Sequence, residues 1–280
     1  MDYNSLLSGM TMFGSSVEEI CFNTLGISAD NINENVIISP GWQPERLFKT
    51  NNITQIVQSS PLFGYKVWNI EHNNTDISYI NTGFGSPVML DALLLLGLTK
   101  CRKILFVSSV GALSSEINIG DIVIPEYSAS GDGASRFLSN NLRNDTFGDK
   151  QYPNADLFKL LVNEAKRICD ANSVKWHLGK TLCVDTIMAQ YSHLESIVKM
   201  GYNSIDMESA VAFKAAKMMD IPIAALLQVS DNSIIHKSLM TDLNGQEEQE
   251  YRKLVRKEIL PQILECVLFE QTKTEFSNKG

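Results

Sequence analysis

Short apolar runs alternate with longer amphipathic stretches along most of this chain, which is typical of strands that alternate with helices. The apolar runs predict strands at residues 36–39, 65–69, 77–81, 104–107, 122–125, 176–185 and 222–229, with a turn at 73–74 between the second and the third. The amphipathic stretches predict helices at residues 86–98, 155–171, 207–219 and 247–269, and a capping box at 16–19 predicts a short helix before them. Pro261 is expected to kink the last helix.

This order of elements predicts one α/β domain. No internal repeat, low-complexity tract or linker interrupts it, so we divide the chain into an N-terminal extension at 1–35, an α/β domain at 36–270 and a C-terminal tail at 271–280. With 280 residues, of which 44% are hydrophobic, the chain is long enough to bury a full core in one large domain.

Charge and composition exclude several classes of function. The net charge is −8 and no long basic run is present, so a nucleic-acid polymer is not expected as a partner. The apolar runs are too short to span a membrane, and the N-terminus lacks the basic start of a secretory signal. The five cysteines show no paired spacing and the four histidines no ligand spacing. We therefore expect reduced thiols in a cytoplasmic protein, and no metal.

Two acidic motifs carry the candidate chemistry. Glu208 opens an apolar helix, and Asp231 follows the run at 222–229 after Ser230. Ligands of open α/β sheets bind at the carboxyl ends of strands, so two carboxylates placed there suit a substrate that is part sugar and part base. One can accept hydrogen bonds from vicinal hydroxyls and the other can handle a proton. The structural alternatives are that Asp231 caps a turn and that Glu208 is a solvated acid favoured by the helix dipole.

Six loops, in the same order along the chain, resemble those of the nucleoside phosphorylase-I family, which comprises uridine and purine nucleoside phosphorylases and also nucleosidases. The similar segments are the Pro-Gly loop at 40–46, the glycine loop at 82–87, the segments at 109–113 with 119–123 and at 132–135, the Asp-Met-Glu-Ser-Ala signature at 206–210 and the Ser-Asp step at 230–231. Together they cover roughly residues 35–265. The chain is therefore identified as a member of this family by resemblance.

The resemblance implies a three-layer α/β/α fold whose central mixed sheet is partly closed into a barrel. It implies a homo-oligomer, either a dimer or a trimer of dimers, that acts on small molecules in purine salvage, with inorganic phosphate as co-substrate and no metal or organic cofactor. The site residues that it implies are Met207 and Glu208 for the ribose, Asp231 and Ile187 for the base, and Gly41, Arg46 and Ser109 for phosphate. Asp231 would also be the catalytic acid that protonates the purine ring.

The sequence leaves three functions open. Phosphorolysis of a ribonucleoside to free base and ribose 1-phosphate, the chemistry of a pentosyltransferase, is the first. The second is hydrolysis by water, because Phe106 stands where the family has a second phosphate arginine, Trp42 lengthens the Pro-Gly loop, and no basic residue lies at 61–63. The third is nucleoside binding with weak catalysis. Asp231 favours a purine, whereas the segment at 132–135 is similar to the uridine branch.

Overall fold

A mixed sheet forms the centre of the computed structural model, which describes residues 1–49, 52–72, 75–239 and 245–269. In these ranges the sheet has ten strands. They are β1 (Asn35–Ser39), β2 (Ile53–Val57), β3 (Lys66–His72), β4 (Thr75–Asn81), β5 (Lys103–Ala112), β6 (Ile122–Gly131), β7 (Lys150–Gln151), β8 (Trp176–Val184), β9 (Ser204–Asp206) and β10 (Ile223–Asn232).

Part of this sheet closes on itself. The strand order is β10-β6-β8-β9-β5-β1-β4-β3-β2, and β10 also pairs in parallel with β5. The strands β5, β10, β6, β8 and β9 therefore form a five-stranded barrel, and β1, β4, β3 and β2 extend from it as an open sheet. The short strand β7 pairs with β6. This arrangement confirms the expected mixed sheet with partial barrel closure.

Helices cover both faces of the sheet. They are α1 (Tyr3–Thr11), α2 (Val17–Leu25), α3 (Ser86–Leu96), α4 (Ala155–Ala171), α5 (Ile187–Gln190), α6 (Leu194–Lys199), α7 (Ser209–Met219), α8 (Gln246–Leu254) and α9 (Leu260–Phe269). Apolar residues of α3 and α7 pack in one core cluster, and those of α4 and α9 pack in another on the opposite face. The three layers expected from the resemblance are therefore present. None of the helices in the described ranges is long and apolar enough to cross a bilayer.

The N-terminal residues form more structure than their polar character indicates. The predicted capping box is present, because Ser16 accepts from the Glu19 backbone and Glu19 accepts from the Ser16 backbone at the start of α2. The preceding helix α1 was not predicted. Its Tyr3 hydroxyl donates to the Leu94 carbonyl at 2.6 Å, which attaches α1 to α3.

Several predicted boundaries are wrong, and the errors fall around the candidate site. The strand predicted at 222–229 continues as β10 to Asn232, because Asp231 and Asn232 pair with Gly111 and Ala112 of β5. Asp231 therefore lies inside a strand. The helix predicted from residue 207 begins at Ser209, since Glu208 has non-helical backbone angles and acts as its N-cap residue. The segment after β8, predicted as a loop, contains the short helix α5.

The last predicted helix is interrupted. A π-helical turn, Val255–Ile259, joins α8 to α9 and ends just before Pro261. Proline has no N–H to donate to the carbonyl of residue 257, so the regular ladder cannot continue there. The predicted turn at 73–74 and the predicted tail at 271–280 lie outside the described residues, and the division of the chain into 1–35, 36–270 and 271–280 stays a prediction.

Candidate active site

A cleft at one end of the barrel gathers five of the seven residues that the sequence predicts for the site. Its lining includes Ser109, Ile187, Met207, Glu208 and Asp231. They come from β5, α5, the turn between β9 and α7, and β10. Strand pairing brings these segments together, because β9 and β10 are both neighbours of β5.

Glu208 is held in the cleft by a backbone donor from the glycine loop. The N–H of Gly85 donates to the carboxylate Oε1 at 2.7 Å, and the side chain is only 3% exposed. Gly85 has φ of +105°, a conformation that glycine adopts without a steric penalty. The next residue, Ser86, donates from its hydroxyl to the Met207 carbonyl at 2.7 Å and so fixes the turn that carries both Met207 and Glu208.

A second buried carboxyl group, that of Asp206, affects the charge of Glu208. Burial, followed by the nearby Asp206 charge, raises the pKa of Glu208 to about 8. Burial also raises the pKa of Asp206 to about 7, although its Oδ2 accepts from the Ser209 N–H at 3.1 Å. Its Oδ1 is buried without a hydrogen-bond partner among the described residues. Burial and the Asp206 charge therefore favour the protonated form of Glu208.

Asp231 lies at an irregularity of the strand. The pairing of β10 with β5 shifts register between Val229 and Asp231, so Ser230 bulges beside the cleft. The Ser230 hydroxyl donates to the Asp231 Oδ1 at 2.6 Å. Burial raises the pKa of Asp231, against the lowering effects of Ser230 and of the Arg252 charge. The raised pKa favours a protonated carboxyl group, which is the form that can donate.

The cleft also contains residues that the sequence reasoning did not assign to it. Phe84, which is 69% exposed, lines the cleft together with Gln190 and Leu239. Leu239 follows β10 in a segment without a motif, so no local signal could have identified it. Trp42, by contrast, is buried and packs in the core.

The three residues predicted for phosphate are not brought together in this cleft. Ser109 lines it, whereas Gly41 lies against the Phe84 ring, since a Cβ at Gly41 would come within 2.6 Å of that ring. Arg46 lines a separate cavity with residues of the last helical segment. Phe106, at the position of the missing arginine, is fully buried in the core cluster with α3 and α7.

Comparison with known proteins identifies the family. The model of the phosphorylase superfamily matches residues 46–260, which is more than half of the chain. The chain belongs to the phosphorylase superfamily. A DeoD-type purine nucleoside phosphorylase of Streptococcus pneumoniae serotype 19F is 25% identical over 175 residues, which are 62% of this chain and 69% of the relative. The corresponding protein of Streptococcus gordonii is 24% identical over 175 residues, again 62% of this chain and 69% of the relative.

Solved structures of the superfamily share the fold of this phosphorylase-like chain. Uridine phosphorylase of Vibrio fischeri superposes with a TM-score of 0.67 at 18% identity, over 87% of this chain and 96% of that one. Purine nucleoside phosphorylase of Toxoplasma gondii, solved in complex with immucillin-H, gives a TM-score of 0.65 at 16% identity, over 86% of this chain and 93% of that one. At these identities the likeness establishes the architecture.

Proposed function

We propose that this protein cleaves the N-glycosidic bond of a ribonucleoside, preferably a purine nucleoside, by phosphorolysis to free base and ribose 1-phosphate. The observation that carries the proposal is the convergence of Glu208 and Asp231 on one cleft, which Met207 and Ser109 also line. A buried acceptor for sugar hydroxyls and a buried proton donor for the base are the two groups that this bond cleavage requires.

In the proposed reaction a phosphate oxygen forms a bond to C1′ of the ribose while the bond from C1′ to the base nitrogen breaks. The electron pair of the broken bond goes to the base, which takes a proton from Asp231, and the proton lost by phosphate replaces it. Positive charge develops on the sugar in the transition state. Glu208 releases its proton to solvent before the bonds at C1′ change, and its carboxylate then stabilises that charge.

Hydrolysis by water is the second candidate, and two observations favour it. The buried Phe106 contributes no charge to the cleft, and Arg46 does not line it. A phosphate dianion in the cleft itself would be held by neutral donors such as the Ser109 hydroxyl, and such bonds are weaker than charge-assisted ones.

The deciding experiment measures base release from a panel of purine and pyrimidine nucleosides, each with and without inorganic phosphate. Release that requires phosphate, together with formation of ribose 1-phosphate, is the expected result. Equal release without phosphate would establish the nucleosidase reaction instead. Saturable binding without release from any nucleoside would identify a binding protein.

Replacement of the proposed acid tests the assignment of Asp231. We expect Asp231→Asn to lower kcat for purine nucleosides by about 10²–10⁴-fold, the usual contribution of a general acid. A nucleoside whose base leaves without protonation should be cleaved by the variant nearly as well as by the wild type. An equal loss with both substrates would instead assign Asp231 a structural role.

The proposed reaction uses inorganic phosphate as its only co-substrate. No metal and no organic cofactor take part in it, so exhaustive dialysis against a chelator should leave the rate unchanged. We also propose that the protein acts as a homo-oligomer in the cytoplasm, on small molecules, with neither a nucleic-acid polymer nor a membrane as partner.

A further inference from the structure

A second cavity, of about 400 Å³, lies beside the C-terminal helical segment and is strongly basic. It is lined by Arg46, Arg252, Lys253, Arg256 and Lys257, together with Glu45 and Gln249. Five cationic side chains thus face one cavity in a protein whose net charge is −8. Like charges repel one another, so a cluster of cationic side chains in an acidic protein indicates a binding site for an anion.

The arginines of this basic cavity are held in place by the sheet. Gln228 of β10 is 1% exposed; its Nε2 donates to the Arg252 carbonyl at 2.9 Å, and its Oε1 accepts from Arg256 Nε at 3.0 Å. The Arg256 guanidinium also lies 4.6 Å above the ring of Trp42, the residue that lengthens the Pro-Gly loop. One buried side chain therefore fixes the guanidinium of Arg256 and the backbone of Arg252.

Arg252 connects the basic cavity with the cleft. Burial, and to a lesser extent the Arg46 charge, lowers the pKa of Arg252, whereas Asp231 in its charged form acts in the opposite direction. Its Nε is buried without a hydrogen-bond partner among the described residues. Burial, Arg252 and Arg46 also lower the pKa of Arg256, to about 10. Three guanidinium groups thus lie close enough to repel one another, and a bound anion would relieve that repulsion.

Ser109 faces the same side of the sheet as these arginines. It is the direct partner of Gln228 in the pairing of β5 with β10, and paired residues of neighbouring strands point to one face. Leu105 and Val107, which alternate with Phe106 on β5, pack in the same cluster as Val255 and Ile259 of the π-helical turn. Ser109, which lines the nucleoside cleft, therefore faces the side of the sheet on which Gln228 contacts Arg252 and Arg256.

We propose that Arg46, Arg252 and Arg256 form the binding site for inorganic phosphate. The last helical segment then supplies positive charge in place of the arginine that is expected at the position of Phe106. The proposal rests on the proposed phosphorolysis, because it assigns the acceptor of that reaction to this cavity. Guanidinium groups suit the task, since their planar donors match phosphate oxygens and stay charged. Arg46 thereby keeps the role expected from sequence, in a cavity next to the cleft.

The test is calorimetric titration of inorganic phosphate into the nucleoside-free protein, compared among the wild type, Arg46→Gln, Arg252→Gln and Arg143→Gln. Arg143 is exposed and lines neither cavity, so it controls for the loss of one positive charge. We expect Kd for phosphate to rise about tenfold or more in each of the first two variants and to stay unchanged in the third. An unchanged Kd in both site variants, or an equal rise in the control, would overturn the proposal.

Two further measurements separate the possible outcomes. If Arg252→Gln raises KM for phosphate and leaves KM for the nucleoside unchanged, the cavity holds the co-substrate. If a nucleoside 5′-monophosphate binds through Arg252 and inorganic phosphate does not, the cavity holds a substrate phosphate and the assignment is wrong. Base release that is independent of phosphate would contradict the proposed reaction, and the calorimetric result would still decide the anion site.

Discussion

Two neighbouring buried carboxyl groups, those of Asp206 and Glu208, line the candidate cleft and have raised pKa values. Their pKa values of about 7 and about 8 arise mainly from burial, which disfavours the charged forms. The Gly85 N–H acts in the opposite direction, because it donates to the Glu208 carboxylate. Since the shift is large and the group lies in a cleft, the carboxyl group fits a functional role better than that of a solvated helix cap.

Removal of this carboxyl group should affect ribose recognition most. We expect Glu208→Ala to lower kcat/KM for ribonucleosides by about 10²–10³-fold, because an acceptor for two hydroxyls and a charge opposite the sugar are both lost. Assays with a ribonucleoside and its 2′-deoxy analogue would measure this. The wild type should prefer the ribonucleoside, and the variant should lose most of that preference. If the preference is unchanged, the ribose does not bind at Glu208.

The same carboxyl groups make stability depend on pH. Their pKa values rise on folding, from ordinary values of 3.8 for Asp206 and 4.5 for Glu208, so the folded protein binds protons more tightly than the unfolded chain. Their stabilising contribution is complete below about pH 4 and is lost as the pH rises to about 8. Urea unfolding across this range should show a smaller decline in Glu208→Gln than in the wild type. Parallel curves would show that Glu208 does not titrate in this window.

At the level of elements, the accuracy of the sequence prediction depends on whether the signal is local. Helix α4 was predicted with its observed limits, because Asn154 caps it and its apolar residues recur at helical spacing. The end of β10 was missed because Ser230 and Asp231 are polar, and only pairing with β5, more than a hundred residues earlier, keeps them in the strand. Asp231 and Glu208 were found by motif. Arg252 was not, since on an isolated helix it is one of many charged residues.

The position of α8 depends on a close contact with the loop before β6. A Cβ at Gly120 would lie 2.6 Å from a ring carbon of Tyr251, whose hydroxyl donates to Asp121 at 3.2 Å. Gly120 also has φ of +94°. We expect Gly120→Ala to lower the free energy of unfolding by about 1–2 kcal/mol through backbone strain and by more through the clash with α8.

Gly148→Ala is a matched control for that substitution. Gly148 has φ of +81°, and among the described residues other than its chain neighbours no atom lies within 4 Å of the position that a Cβ would take there, so the substitution isolates the backbone strain. Denaturant unfolding of both variants should show the larger loss in Gly120→Ala. Equal losses would mean that α8 moves away from Gly120 without a penalty.

For the whole molecule, an exposed apolar surface bears on the expected assembly. Phe22, Leu62 and Phe63 are 54%, 67% and 41% exposed. The Leu62 N–H donates to the Asn23 carbonyl at 3.1 Å, which places the loop beside the end of α2. Contiguous apolar surface of this kind is typical of an interface. We propose a homo-oligomer, so a second copy of this chain is the occupant that we expect for this surface.

Light scattering after size-exclusion chromatography would test that expectation. The wild type should elute as a dimer or a larger assembly, and Leu62→Asp should shift it toward the monomer, because a buried unpaired carboxylate at an interface is strongly unfavourable. Leu142→Asp is the control, since Leu142 is 55% exposed in a different loop. A monomeric wild type would contradict the expected assembly, and equal dissociation by both substitutions would place the interface elsewhere. Leu62 does not line the cleft, so loss of activity on dissociation would show that the assembled form is the active one.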